Sequence, residues 1–239
     1  PYINLITRLF GDELVIANAT GCSSIYGGSV PTTPYTIPWA NSLFEDNAEF
    51  ALGMHLSYQS KKELIKKIME QEINNVSKEV KDLFEQYLNN PDDFKTTWDI
   101  KNKLSVLEIP PKLKSLLSYI PARTVLAIGG DGWAYDIGFG GLDHVLSTNE
   151  NIKVLVLDTE VYSNTGGQAS KSSKLGAVAE FADFGKKTAK KDLFRIAMSY
   201  PNCYVASISL GANMQHSIKV MKEAMEHNGP AIIIAYSPC

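Results

Sequence analysis

Five short apolar runs, Leu14–Ala17, Thr124–Ile128, Val154–Asp158, Tyr204–Ile208 and Ala231–Ala235, constrain the fold of this chain more than any other feature. They are rich in Val and Ile and do not alternate with polar residues, the pattern of strands covered on both faces of a parallel sheet. Helical patterns separate them. Gly138 to Leu146 is one and Asp192 to Tyr200 is another. Asn213 to His227 is a third, with Ile218, Met221 and Met225 at helical spacing before Gly229-Pro230 stops it. This alternation predicts an α/β fold built on a doubly wound, mainly parallel sheet, with ligands at the C-terminal strand ends.

Residues from about 60 to 117 break the rhythm, because they read as helices with no strand. Ser60-Lys-Lys-Glu63 has capping-box spacing, and Leu64, Ile65, Ile68, Met69, Val76, Val80, Leu83, Phe84 and Tyr87 form an apolar stripe. Asn90-Pro91-Asp92 ends that run and Pro110-Pro111 punctuates the next. The expectation is a core-forming helical insertion on a single domain spanning residues 1–239. No internal repeat or low-complexity linker is present.

Composition excludes several classes. With 44% hydrophobic and 21% charged residues, the chain matches ordinary globular proteins rather than disordered ones. A net charge of -3 argues against a nucleic-acid surface. No apolar window reaches the roughly 18 residues of a membrane span, and the first residues lack the pattern of a signal peptide. The basic run Lys186, Lys187, Lys190, Lys191 reads as a solvated helix face, with an acidic protein partner as the alternative. Three cysteines, Cys22, Cys203 and Cys239, are too few and odd in number for a disulfide framework, so a reducing cytosolic compartment is expected. The absence of an initiator Met is what is expected of a piece of something longer, and processing or tag removal would give the same end.

The chemistry concentrates in two segments. Thr124-Val-Leu-Ala-Ile-Gly-Gly-Asp-Gly-Trp133 is a strand entering a glycine turn with an acid at its tip. About 26 residues later, Val154-Leu-Val-Leu-Asp158 leads into Thr159-Glu-Val-Tyr-Ser-Asn-Thr-Gly-Gly-Gln168. Two strand ends thus offer oxygen ligands and small residues to one crevice. Magnesium takes six oxygens and usually shares them with a phosphate, so Asp131, the Thr159 hydroxyl and the Val161 carbonyl are candidate metal ligands. Gly130 and Gly132 are expected to let the backbone turn sharply and approach a diphosphate. A helix beginning near Ile137 would aim free N–H groups there, and Ser163, Asn164 and Thr165 offer further donors. Trp133 reads as a pocket wall, and Cys203 as plain core. Gln168 and Lys171 either reach the diphosphate or cap local turns. The histidines, His55, His144, His216 and His227, show no ligand spacing and read as surface or packed.

A glycine-aspartate-glycine turn followed about 26 residues later by a polar metal ligand is the thiamine diphosphate signature. Gly129-Gly-Asp-Gly-Trp-Ala-Tyr-Asp-Ile-Gly138 and Leu157-Asp-Thr-Glu-Val-Tyr-Ser-Asn-Thr-Gly-Gly-Gln168 resemble the thiamine diphosphate-binding domain of pyruvate:ferredoxin (flavodoxin) oxidoreductases. The usual signature ends in Asn; Thr159 stands in its place here, as in that family. The resemblance extends through Ala19-Thr-Gly-Cys-Ser-Ser-Ile-Tyr-Gly-Gly28, Pro34-Tyr-Thr36, Glu45-Asp-Asn-Ala-Glu-Phe50 and Tyr236-Ser-Pro-Cys239.

The resemblance implies a domain that holds thiamine diphosphate and Mg²⁺ within an enzyme converting pyruvate and coenzyme A to acetyl-CoA and CO₂. Electrons would pass through iron–sulfur clusters to ferredoxin or flavodoxin. Carried over by motif, Asp131, Thr159 and Val161 would bind Mg²⁺. Asn164 would act beside the reacting carbon, and Gly21 and Cys22 would line the cofactor site with Gly130, Gly132, Trp133, Ser163 and Thr165. Cys22 and Cys239 match two of the four ligands of a [4Fe-4S] cluster. The other two belong to a Cys-x-x-Cys segment that the family places just before the position of Pro1, and the activating glutamate belongs to another domain. The isolated chain is therefore expected to hold no cluster and to turn over no pyruvate. The parent is expected to be a homodimer in the cytoplasm or in an anaerobic energy organelle. The runner-up readings are a non-oxidative thiamine diphosphate-dependent decarboxylase or synthase, and a non-catalytic assembly module.

Overall fold

The computed structural model describes residues 1–27 and 37–239. Gly28 and Pro34-Tyr-Thr36, quoted above for the resemblance, lie outside the described residues. The chain divides into two compact units, residues 1–53 with 124–239, and residues 54–123.

The first unit is built on a six-stranded sheet. Its strands are β1 (Leu14–Ala19), β2 (Trp39–Ser42), β3 (Thr124–Gly129), β4 (Lys153–Asp158), β7 (Tyr204–Ile208) and β8 (Ala231–Tyr236). They lie in the order β2-β1-β3-β4-β8-β7 and every pairing is parallel. All five apolar runs are strands of this sheet, and four of them form its centre. β1, β4 and β8 are buried nearly end to end because both faces are covered, which removes any need for alternation. The sixth strand, β2, is an edge strand of mixed polarity, Trp-Ala-Asn-Ser, and so carries no apolar signal. A two-residue antiparallel ribbon, β5 (Val161–Tyr162) with β6 (Gln168–Ala169), follows β4.

Helices α1 (Tyr2–Phe10) and α10 (Met214–Glu226) supply Ile3, Ile6, Val220 and Met221 to one core, where they meet Ile16, Ile128, Leu155 and Ile233 of the sheet. Asn213 caps α10 by accepting from His216 N at 3.0 Å. Helix α8 (Phe139–Ser147) falls where the pattern placed it. Helix α9 (Leu193–Ala197) is shorter than the pattern implied: Asp192 caps its start, and the chain leaves it before Tyr200-Pro201. The lysine run is not helical. Lys190 pairs with Asp158 at 2.5 Å and Glu160 at 3.1 Å, Lys186 donates to the carbonyls of Lys171 and Ser173, and Lys191 donates to the Tyr135 carbonyl. These ammonium groups are anchors folded back on acids and carbonyls, not a solvated helix face.

The second unit is helical throughout. It takes in the later part of α3 (Asn47–Glu72), then α4 (Lys78–Asn89), α5 (Phe94–Leu104) and the single turn α6 (Pro111–Lys114). Its core gathers Ile65, Met69, Val80, Phe84, Tyr87, Ile100, Leu104 and Leu113. Ser77 caps α4 by accepting from Val80 N, and Asp93 caps α5 by accepting from Thr96 N at 2.7 Å. The capping-box reading of Ser60 is corrected: Ser60 lies inside α3, whose first turn closes from Phe50 N to Asp46 O at 2.9 Å. A Ser-x-x-Glu spacing inside a long helix is an exposed polar face, not a start.

Candidate functional site

The sheet order reverses between β1 and β3. From β1 the chain moves outward to the edge strand β2, then returns to the other side of β1 as β3 and proceeds to β4. Loops leaving the C-terminal ends of such strands diverge and leave a crevice. Asn47 fixes this point: its buried amide donates to Ala17 O at 3.1 Å and Ile128 O at 3.3 Å, tying β1 to β3. A cavity of about 420 Å³ opens here, and all of its lining residues belong to the first unit.

Each wall comes from a strand end. β1 leads into Gly21 and into α2 (Cys22–Tyr26), which places Gly21, Cys22 and Tyr26 on one side. β3 ends at Gly129, and the single helical turn α7 (Asp131–Ala134) starts at once, placing Gly130, Asp131, Gly132 and Trp133 on the floor. β4 leads into Thr159, and the β5–β6 ribbon carries Ser163, Asn164 and Thr165 to the far side. The structure thus brings together on the cavity lining every predicted cofactor-site residue except Val161 and Cys239, each of which hydrogen-bonds to Thr159.

The glycines act differently from the sequence expectation. Gly130 is extended, with φ -98°, and Gly132 does not appear among the residues of positive φ, so neither makes a sharp left-handed turn. A Cβ on Gly130 would meet nothing closer than Leu157 O at 3.8 Å; its value is open space. Steric necessity falls on Gly129, where a Cβ would lie 2.4 Å from the Trp133 ring. Positive φ falls in the second loop, at Gly166 (123°) and Gly167 (88°). The helix nearest the turn starts at Asp131, and α8 begins only at Phe139.

Asp131 is 3% exposed, and among the described residues no Lys or Arg pairs with it. Burial pushes its carboxyl up to about 6, against hydrogen bonds from Ser170 and Thr159 that lower it; the nearby Asp158 raises it further. Asp131 Oδ1 accepts from Thr159 N at 3.0 Å and lies 3.2 Å from Thr159 Oγ1, which in turn is 3.0 Å from Val161 O. Adjacent corners of a magnesium octahedron with bonds of about 2.1 Å are about 3 Å apart. The two measured separations, Asp131 Oδ1 to Thr159 Oγ1 and Thr159 Oγ1 to Val161 O, therefore match two edges of such a shell, with room in the cavity for phosphate oxygens. Among the described residues no group of three or more His, Cys, Asp or Glu gathers elsewhere to hold a metal.

Sequence reasoning missed Ser170, Ser172 and Ser173, all 4% exposed or less. Ser170 Oγ donates to Asp131 Oδ2 at 2.7 Å, Ser172 Oγ to Asp158, and Ser173 Oγ to the Glu160 carbonyl. Their only signal was three small hydroxyl residues crowded behind the second motif. It also missed Phe44 and Tyr162, apolar walls of the cavity. Trp133 is both wall and core, 1% exposed, with an indole N–H that finds no acceptor among the described residues. Gln168 closes its own hairpin by donating to Thr165 O at 2.8 Å, and Lys171 lies out against Asp136, so neither lines the cavity. Glu160 pairs with Lys174 and Lys190, and Glu180 accepts from Gln168.

The cysteines divide. Cys22 is half-buried on the cavity wall, and Cys239 is exposed, its N–H facing Thr159 O at 3.4 Å. The Tyr26 phenol is pushed up by burial first and then by Cys22 and Cys239, so both thiols lie within electrostatic reach of one ring. Cys203 stands apart, its thiol pushed up to about 11 by burial.

Residues 112–235 match the family described as thiamine pyrophosphate enzyme, C-terminal TPP binding domain. Over its whole length the chain is 48% identical to a pyruvate-flavodoxin oxidoreductase of Trichormus variabilis and 46% identical to a pyruvate:ferredoxin oxidoreductase of Moorella thermoacetica, spanning 22% of each. It is 42% identical to a pyruvate dehydrogenase [NADP(+)] of Cryptosporidium parvum, of which it spans 15%. Its fold is that of a 2-oxoglutarate:ferredoxin oxidoreductase from Magnetococcus marinus, solved with 2-oxoglutarate, coenzyme A and succinyl-CoA bound. The TM-score is 0.64 at 19% identity, covering all of this chain and 60% of that one.

Proposed function

This chain belongs to the C-terminal TPP-binding domain family of thiamine pyrophosphate enzymes, and from that premise we propose that it serves a pyruvate:ferredoxin or pyruvate:flavodoxin oxidoreductase. The parent enzyme would take pyruvate and coenzyme A to acetyl-CoA and CO₂. The observation that carries this reading is the oxygen set at a switch-point cavity: Asp131 and Thr159 line it, and the Val161 carbonyl accepts from the Thr159 hydroxyl beside it. The length of the relatives supports the rest: 22% of such a chain leaves ample room for further domains.

Asp131, the Thr159 hydroxyl and the Val161 carbonyl are the residues to hold Mg²⁺, which would neutralise a buried acid that now lacks a cationic partner. Bound thiamine diphosphate supplies a carbon nucleophile and an electron sink for 2-oxoacid decarboxylation. Gly130 leaves space for the diphosphate backbone to approach, and Ser163 and Thr165 offer donors to it. Asn164, at the ribbon tip and on the cavity lining, is the residue assigned to catalysis and would offer its amide to the reacting end of the cofactor. Trp133, Phe44 and Tyr162 form apolar walls that keep water from that end.

Cys22 and Cys239, both within electrostatic reach of Tyr26, would be two of the four thiolate ligands of a [4Fe-4S] cluster, which in the parent enzyme would relay electrons to ferredoxin or flavodoxin. Phe181 and Phe184, 90% and 100% exposed, are surface for the remaining domains or a second subunit of a homodimer to cover. A cytoplasmic or organellar location follows from the proposed reducing chemistry. No observation favours the non-oxidative or assembly readings.

Calorimetric titration of the chain with thiamine diphosphate, in Mg²⁺ and in EDTA, tests the assignment. Binding should require Mg²⁺ and disappear in Thr159→Ala, while pyruvate-dependent dye reduction by the chain alone should be nil. Equal binding in EDTA overturns the metal assignment.

A further inference from the structure

The segment Ser170-Lys171-Ser172-Ser173 carries three buried hydroxyls directly behind the proposed metal position. A serine hydroxyl has one proton to donate and lone pairs to accept with. Ser170 Oγ accepts from Ser172 N at 3.0 Å, so its single proton is left for Asp131 Oδ2, 2.7 Å away. Ser173 Oγ accepts from Ser170 N at 2.9 Å and donates to the Glu160 carbonyl. Ser172 Oγ donates to Asp158. Ser170 Oγ also lies 3.4 Å from Ser173 Oγ, a longer contact in which either hydroxyl can donate, and the 2.7 Å bond to Asp131 Oδ2 is the shorter use of its proton.

The two oxygens of Asp131 are made unequal by this arrangement. Oδ1 faces Thr159, toward the cavity, whereas Oδ2 is held on the opposite side by Ser170. A carboxylate held so presents Oδ1 on the side of Thr159, which lines the cavity, and turns Oδ2 toward Ser170, which does not, so a cation entering from the cavity meets one oxygen. Magnesium requires a near-ideal octahedron and accepts single oxygens; calcium takes more ligands, at longer range, and readily accepts both oxygens of one carboxylate.

We propose that Ser170 is a positioning and specificity-determining residue: by retaining Asp131 Oδ2 it keeps the carboxylate monodentate and selects Mg²⁺ over Ca²⁺. The inference rests on the reading of Asp131, Thr159 and Val161 as metal donors. It concerns the choice of ion, which that reading leaves open.

The experiment titrates Mg²⁺ and Ca²⁺ separately into metal-free protein in the presence of excess thiamine diphosphate, following heat of binding rather than turnover, with thermal melting in EDTA as the check on folding. Ser170→Ala should lower the ratio of Mg²⁺ to Ca²⁺ affinity by about tenfold or more, the scale on which groups orienting a ligand act. Ser170→Thr, which keeps the hydroxyl, should restore the ratio. Ser172→Ala removes a hydroxyl from the same knot without freeing Asp131, and should leave the ratio unchanged. If Ser170→Ala does not fold, Ser170→Cys, a weak donor, carries the same comparison. A parallel loss of both ions in Ser170→Ala, or the same shift in Ser172→Ala, reduces the serine to a structural part and overturns the proposal. Thr159→Ala separates the two levels. If it abolishes Mg²⁺ binding while Ser170→Ala keeps the ratio, only the present inference fails; unchanged Mg²⁺ affinity in Thr159→Ala, or wild-type protein that binds neither ion, sinks the metal reading and this inference with it.

Discussion

The two units of this chain are held together by different kinds of interior. The helical unit, residues 54–123, has a core of aliphatic and aromatic side chains whose sequence periodicity, caps and burial all agree. Beside that unit's buried His55 and Thr97, the α/β unit buries Thr7, Asn18, Asn47, Asp131, Lys153, Asp158 and five serines alongside its apolar residues. Buried polar groups weaken a fold unless each is satisfied, and they persist where a ligand has use for them. The contrast locates function: the unit whose interior departs from simple packing holds the cavity.

That contrast can be broken by experiment. The largest effect is expected from Phe84→Ala, which empties the middle of the helical core and should cost about 4 kcal/mol in denaturant unfolding. Metal-dependent binding by whatever protein remains folded should be unchanged, and a parallel loss of affinity would show that the two interiors do not work separately. Next in size is Asp131→Asn. Because the folded carboxyl titrates near 6 and the unfolded one near 3.8, the unfolded chain ionises first, and stability falls as pH rises between those values. The substitution should therefore stabilise the metal-free chain by about 3 kcal/mol above that window, with no gain below it, while abolishing Mg²⁺-dependent binding. Melting curves at pH 4 and 7 measure the difference, and an equal gain at both would refute the burial argument. Smaller still, Gly129→Ala drives a methyl into Trp133 and should cost about 2 kcal/mol. Gly130→Ala meets no close atom and should leave stability alone while weakening the cofactor. Equal melting temperatures for the two alanines would sink that distinction.

The same contrast explains what could be read in advance. Strands covered on both faces announce themselves as unbroken Val and Ile runs, so β1, β3, β4 and β8 were legible; β7 was legible as an apolar run too, but it is an edge strand fully buried only at Ile208. The edge strand β2, half-exposed and polar, was not. In the helical unit the stripe gave the α3 and α4 side of the core but not Ile100, Leu104, Leu113, Leu116 or Ile120; Leu64 is exposed, and Ser60 misled because polar spacing inside a long helix imitates a cap. In the site, Asp131, Thr159 and the ribbon residues were legible because acids and small residues at strand ends are uncommon. The serine knot was not, since a serine run reads as loop until the fold folds it inward. The role given to the glycines was misplaced for a related reason: whether a glycine is needed for its torsion, its neighbour or its open side depends on atoms distant in sequence.

The register of the sheet has a last consequence, in time. Leu14 pairs with Thr124, so β1 emerges during synthesis long before its inner partner exists. The helical unit, made of local contacts, lies in that interval and can complete itself while β1 waits. Once it has, the tether between β1 and β3 is shortened by the compact unit within it, and the loop that must close is smaller than the chain that was made.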